Sequence, residues 1–281
     1  MNPAEALKRS KRSLKIPSLM PVVMQLHALM SDPDVSVSDI GSTLTEDPEL
    51  STRVLRIANG ALFGLTSPVL DPRQAATILG INRLHSIVMQ AATTIAFDSE
   101  EARKDPLCQD HWKHSILVAH IARDIGKRAK NPDLMTPEEL HIAGLLHDIG
   151  RAILIHNLRD EYVQTLALAE AKHLELIDAE REVFGCTHSQ LGAKLVLTWQ
   201  LPRNLAQTIA FHHAPWKVAK AIPSAVVVSV ADRLAHAVQH NDLEGMPHIA
   251  ERRDLFFLGI GMGQLLSVAT TAIRTWSAIE L

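Results

Sequence analysis

The chain has 281 residues, 47% of them hydrophobic and 21% charged, enough to bury the core of one large or two small globular domains. A net charge of −3, a pI near 6.6 and an aromatic content of 4% argue against a globally basic nucleic-acid binder or a stacking platform for single strands. Cys108 and Cys186 stand alone without a CxxC partner, which suits a reducing cytoplasm, and the longest apolar run, Ala225 to Ala231, is far short of a membrane span.

In chain order, Met1 to Lys15 is polar and basic, without the apolar segment of a signal peptide. Its Lys8, Arg9, Lys11, Arg12 and Lys15 read as the solvated face of a terminal helix rather than a nucleic-acid arm. Asp47-Pro48 reads as an N-cap followed by proline at the first helical position, and Gly60 closes that helix after Leu50, Val54, Leu55 and Ile57. Asp71-Pro72 opens another, with Gln74 at the capping-box position and Gly80 at its end. Asn82 starts an apolar helix through Leu84, Ile87, Val88 and Ala91. The charged stretch Asp98 to Pro106 breaks the pattern, so the expected organisation is a helical half over 1–100 and a second over 101–281. Thr136-Pro137-Glu138-Glu139 is a complete helix opening, and that helix is expected to carry Leu140, Ala143, Gly144 and finally His147-Asp148. Only Val226 to Val230 reads like a strand, and a buried helix explains it equally well. The fold class expected is all-α.

Metal-ligand residue types recur along the second half. His147-Asp148 interrupts the apolar run Gly144 to Gly150, and a carboxylate there costs several kcal/mol unless a cation or hydrogen bonds compensate it. His114 shares a helix with Ile116, Leu117, Ile121 and Ile125. His188 opens a helix ending near Trp199, His212-His213 repeats the paired arrangement, and Asp232 ends the run from Val226. Nitrogen and oxygen ligands without thiolate suit iron, manganese, magnesium or zinc. A hydrogen-bonded His-Asp network without metal is the competing reading. His27, His85, His120, His156, His173, His236 and His240 are read as surface or core-edge residues. No serine or cysteine sits in a nucleophile elbow.

At these residues the chain resembles the HD superfamily of metal-dependent phosphohydrolases. His114, His147-Asp148 and Asp232 look like its basic ligand frame, and His188, His212 and His213 like the extra ligands of the HD-GYP branch that cleaves cyclic di-GMP. The match to that branch fails at Arg151, where the family has lysine. It fails again at Ala214-Pro215-Trp216-Lys217, where Gly-Tyr-Pro is expected, and after Asp232. Ile16-Pro17-Ser18-Leu19-Met20-Pro21-Val22-Val23, Asp47-Pro48-Glu49-Leu50, Arg56-Ile57-Ala58-Asn59, Phe63-Gly64 and Ile78-Leu79-Gly80 resemble the HDOD domain instead. So do Phe184-Gly185, His188, Leu191-Gly192 and Trp199-Gln200-Leu201-Pro202. Gly60 and Leu62 replace that family's usual serine and tyrosine.

The resemblance implies an all-helical regulatory module of bacterial signalling, related in fold to HD-GYP proteins but without their phosphodiesterase activity. Nothing matches a receiver or GGDEF domain, so a stand-alone, cytoplasmic HDOD protein acting through signalling partners is expected, with neither membrane nor nucleic acid as partner. The competing expectation is a metal-dependent phosphohydrolase acting on a phosphoester or cyclic nucleotide. Arg151 is permanently charged and cannot donate a proton at neutral pH, although it could contact a phosphate.

Overall fold

The structure is a computed structural model that describes residues 21–30, 32, 34–60, 65, 67–217, 221–242 and 249–279. The basic cluster, residues 16–20 and Phe63-Gly64 lie outside the described residues. Among the described residues every regular element is a helix and none is a strand. The chain is all-α, and Val226 to Val230 lies inside a helix.

One compact unit comprises Pro17–Asp98 and a short C-terminal segment, Ser277–Glu280. Its helices are α1 (Pro21–Met30), α2 (Val37–Leu44), α3 (Pro48–Ala58), α4 (Pro72–Leu79) and α5 (Ile81–Ala96). The Asp47 carboxylate accepts from Leu50 N at 2.9 Å, so the cap read from Asp47-Pro48 is formed. Asp71 accepts instead from Arg73 N at 2.6 Å, and the capping box anticipated at Gln74 is not made. Gly80, at φ 75°, lets α5 begin at Ile81 rather than Asn82. Leu26, Ile40, Leu50, Val54, Leu84 and Ile87 form the buried interior of this unit.

The second unit, Ser99–Trp276, contains α6 (Glu100–Lys104), α7 (Pro106–Gly126), α8 (Pro137–Leu146), α9 (Ile149–Asn157), α10 (Arg159–Lys172), α11 (Leu176–Phe184), α12 (His188–Thr198), α13 (Arg203–Phe211), α14 (Pro223–Gln239), α15 (Arg252–Leu258) and most of α16 (Met262–Ala278). The stretch expected to break the helical pattern therefore contains a short helix of its own. The buried α7 packs against α8, α9 and α14. Gly144 makes the α7–α8 approach possible, because a Cβ there would stand 2.8 Å from the Ala119 Cα.

The His-Asp doublet departs from expectation. It does not lie within one helix: α8 ends at Leu146, His147 is its C-cap, and Asp148 leaves helical geometry at φ −105°, ψ 16° before α9 begins. This break starts α9 in a new direction against α12, where the Gly150 and Gly192 backbones meet. A Cβ on Gly150 would lie far inside van der Waals contact distance of the His188 carbonyl oxygen and 2.9 Å from Gly192 N. No single described helix is long and apolar enough to cross a membrane.

Candidate metal centre

Local sequence places each ligand-type side chain. Thr136 and Glu139 form a reciprocal capping box that starts α8. That fixes its phase, and ten residues later the helix delivers His147 at its C-terminus. Thr187 and Gln190 form a second box at the start of α12, immediately after Gly185 closes α11 in the left-handed region at φ 72°. The resulting tight turn folds Glu180 back onto His188. His212 is the C-cap of α13, and Asp232 lies on the buried face of α14.

The structure brings all seven sequence-derived residues together. Asp148 is the hub: its Oδ1 lies 3.1 Å from His188 Nε2 and 3.5 Å from His212 Nε2. Its Oδ2 lies 3.5 Å from His147 Nε2 and 2.8 Å from Arg151 Nη1. Asp232 Oδ1 lies 3.0 Å from His114 Nε2 and 3.8 Å from His147 Nε2. His213 Nε2 reaches His188 Nε2 at 2.9 Å.

The orientation of the rings is as informative as their proximity. In four of the histidines Nδ1–H donates outward to an acceptor: His147 to Gly144 O at 2.7 Å, His212 to Ile209 O at 2.7 Å, His188 to the Glu180 carboxylate at 2.8 Å and His114 to Gln239 Oε1 at 2.8 Å. Those acceptors set the tautomer, so in the neutral rings every Nε2 lone pair points inward at Asp148 or Asp232. Nε2 of His147, Nε2 of His212 and Oδ1 of Asp148 are buried without a hydrogen bond of their own. Each such group left unsatisfied costs about 1–3 kcal/mol. Divalent cations at overlapping positions would satisfy them, because Asp148 and His212 belong to one ligand group and His147 and His212 to another. One ligand atom each from Asp148, His188, His212 and His213 lies within 4.8 Å of the others, as do those of His147, His212 and Asp232. The donor set therefore fits a cation, with Asp148, His147, His188, His212, His213, Asp232 and His114 as the residues that would hold it.

Burial works against charge on His188, but Asp148 and Glu180 outweigh it and raise its pKa to about 9. Burial would likewise raise Asp148, yet His147, His188 and Arg151 hold it well below the usual carboxylate range. His147, whose burial dominates, is lowered to about 4. The folded pKa of His188 exceeds its ordinary 6.5, so in metal-free protein its contribution to stability is complete below about pH 6.5 and lost as pH rises through about 9. Melting temperatures of chelator-treated protein across that window should fall, and metal-loaded protein should not show the same decline.

Three residues escaped the sequence reading. Glu180, fully buried in α11, accepts from both the ring Nδ1 and the backbone N of His188, each at 2.8 Å. Such a carboxylate fixes ring orientation and strengthens the ligand. Glu180→Gln is expected to weaken metal binding about 10–100-fold while the protein stays folded, as measured by equilibrium dialysis and circular dichroism. His111, one turn before His114 on α7, is buried with neither ring nitrogen hydrogen-bonded, and its burial lowers its pKa to about 3. His236, read from sequence as a surface or core-edge residue, approaches Asp232 Oδ1 at 3.4 Å, because four residues along α14 return it to the same face. His120, read likewise, is buried.

Two departures from the HD-GYP pattern acquire a structural meaning. The guanidinium of Arg151 donates to Asp148 Oδ2 at 2.8 Å and to the Tyr162 hydroxyl at 2.8 Å, which directs it inward. Trp216, after His212-His213, donates from Nε1 to Asp254 at 3.0 Å on α15 and carries Arg253 over its ring at 4.3 Å. The loop that presents His213 is thus anchored to α15.

Comparison with known proteins agrees with this architecture. The HDOD domain model matches residues 16–215. The chain belongs to the HDOD family. An HDOD domain protein of unknown function from Geobacter sulfurreducens has a TM-score of 0.82 at 22% identity, covering 98% of this chain and 96% of its own. A Shewanella amazonensis protein named as a candidate phosphohydrolase has a TM-score of 0.77 at 23% identity, covering 99% and 98%. At such identities the likeness is one of fold. An uncharacterised protein of Treponema pallidum (strain Nichols) is 23% identical over 198 residues, which are 70% of this chain and 37% of that protein. This HDOD chain therefore spans well under half the length of that curated relative, and its α14, α15 and α16 lie beyond the family match.

Proposed function

We propose that this HDOD protein is a regulatory module whose buried His-Asp centre holds a divalent cation and uses it to fix the conformation presented to signalling proteins in the cytoplasm. The observation that carries the reading is the set of inward-facing Nε2 atoms of His114, His147, His188 and His212, each backed by an outward hydrogen bond from Nδ1. That arrangement pre-organises ligands for a cation. When bound, the ion supplies positive charge that binds and polarises anionic oxygen.

The residues around the centre support binding more than turnover. Arg151 holds one oxygen of Asp148 and the Tyr162 hydroxyl, so it positions the carboxylate that orients the ligand set. Its pKa is raised above the ordinary arginine value because Asp148 and Tyr162 outweigh burial, and it therefore supplies no proton for a leaving group. A phosphoester reaching the centre would meet the remaining guanidinium donors, which hold an anion without protonating it.

The breadth of the ligand set favours a second reading, a metal-dependent phosphohydrolase: His and Asp groups span more than one overlapping cation position. The two readings separate on turnover. Protein reconstituted with manganese or iron is expected to show no p-nitrophenolate release from bis(p-nitrophenyl) phosphate and no opening of a cyclic dinucleotide to its linear form above buffer. Metal-dependent release that disappears in Asp148→Ala would establish the phosphohydrolase instead.

A further inference from the structure

α14 carries Asp232 and His236 four residues apart, on one helix face, and His240, four residues further on, is its C-cap. The row runs from the interior outward. Asp232 is buried, whereas the His236 side chain is 51% exposed and His240 is exposed. The His236 ring lies against that of His114, with centroids 4.5 Å apart at 34°. It is parallel to the ring of His240, with centroids 6.3 Å apart at 6°.

His114, Asp232 and His236 each offer a ligand atom within 4.8 Å of the other two. The Nδ1–H of His114 is committed to Gln239, so its Nε2 faces Asp232 Oδ1 across 3.0 Å. A lone pair and a carboxylate oxygen face each other stably only around a proton or a metal ion. His236 Nε2 approaches the same oxygen from the solvent side at 3.4 Å. This trio does not include Asp148, the hub of the buried cluster, and one of its members opens to water.

We propose that His114, Asp232 and His236 form an outer, solvent-facing position for a divalent transition-metal ion, and that His240, one turn further out, captures the ion from solution. Two imidazoles and one carboxylate suit zinc, cobalt or nickel better than magnesium or calcium. Histidines at i and i+4 on one helix face are a known spacing for chelating such ions. The outer position shares Asp232 and His114 with the buried cluster, so α14 offers a path by which an ion passes inward. This inference rests on the metal reading of the buried centre.

Cobalt(II) is the probe, titrated into the metal-free full chain and followed by visible absorption and by the rate at which the signal develops. Wild-type protein should titrate in two classes. His236→Ala should lose the outer class, or weaken it by at least the roughly tenfold that loss of even an outer-shell partner costs, and keep the buried class. His240→Ala should keep both classes and slow uptake. His173→Ala, at an exposed position on the turn after α10, should match wild type. His236 is largely exposed, so circular dichroism should show its variant folded. If His236→Ala titrates and loads like wild type while a buried class is present, the outer position is refuted and the buried centre stands. If wild type binds no cobalt at all, both the outer position and the metal reading fall.

Discussion

Gly150→Ala is expected to lower the melting temperature by about 6–12 °C. A Cβ at this position would overlap the carbonyl oxygen of His188 and stand 2.7 Å from its carbonyl carbon and 2.9 Å from Gly192 N. These are backbone atoms of α12 and cannot rotate away. The helix pair has to separate, and overpacking of this kind costs about 1–3 kcal/mol or more. At roughly 2–4 °C per kcal/mol for a domain of this size, a cost of about 3 kcal/mol gives the stated fall. The same separation draws His188 away from Asp148, so metal binding should weaken with stability. Gly263→Ala, where a Cβ would meet nothing within 4 Å, should leave the melting temperature unchanged or slightly raised. A wild-type melting curve for Gly150→Ala would show that α9 and α12 are not packed backbone to backbone.

Asp148→Ala is expected to abolish metal binding at the buried centre and cost about 3–5 kcal/mol in metal-free protein, because removing one partner leaves buried charge uncompensated. Three histidines and Arg151 lie around this single carboxylate. Without it Arg151 keeps only Tyr162, and the Nε2 atoms of His188 and His212 lose the oxygen on which they converge. Asp148→Asn preserves shape and so separates the loss of charge from the loss of packing. In wild type, stripping an ion held at ~100 times its dissociation constant removes about 2.7 kcal/mol. Chelation should therefore lower the melting temperature by roughly 5–10 °C. In Asp148→Asn that shift should shrink to what the outer position on His114, Asp232 and His236 contributes, and an undiminished shift would move the buried ion away from Asp148.

Much of this was legible in the sequence because it is local. Asp47-Pro48 and Thr136-Pro137-Glu138-Glu139 announce helix starts through caps that act within four residues, and the structure forms them. His147-Asp148 was conspicuous because a carboxylate in an apolar run demands a partner wherever the chain takes it. What stayed hidden depends on distant backbone. The break between α8 and α9 answers the approach of α12 at Gly150, about forty residues away, and no helix-stopping residue marks it. Glu180 reads as one charge in an ordinary amphipathic helix. Its role comes from the turn at Gly185 and the Thr187 and Gln190 cap, which fold it onto His188. That pairing of helix stop and capping box was available as a signal for a tight αα turn. His236 reads from sequence as a surface or core-edge residue, although its spacing from Asp232 places both on one helix face.

On the proposed reading, inward Nε2 atoms and two buried carboxylates hold a divalent cation. Metal analysis of the purified full chain after manganese, iron or zinc reconstitution and desalting, run beside Asp148→Asn, tests it most directly. Wild type should retain at least one tightly held equivalent per chain, and Asp148→Asn none at the buried centre. A folded wild-type protein that retains no metal under any of these conditions would contradict it and leave the cluster as a hydrogen-bonded His-Asp network.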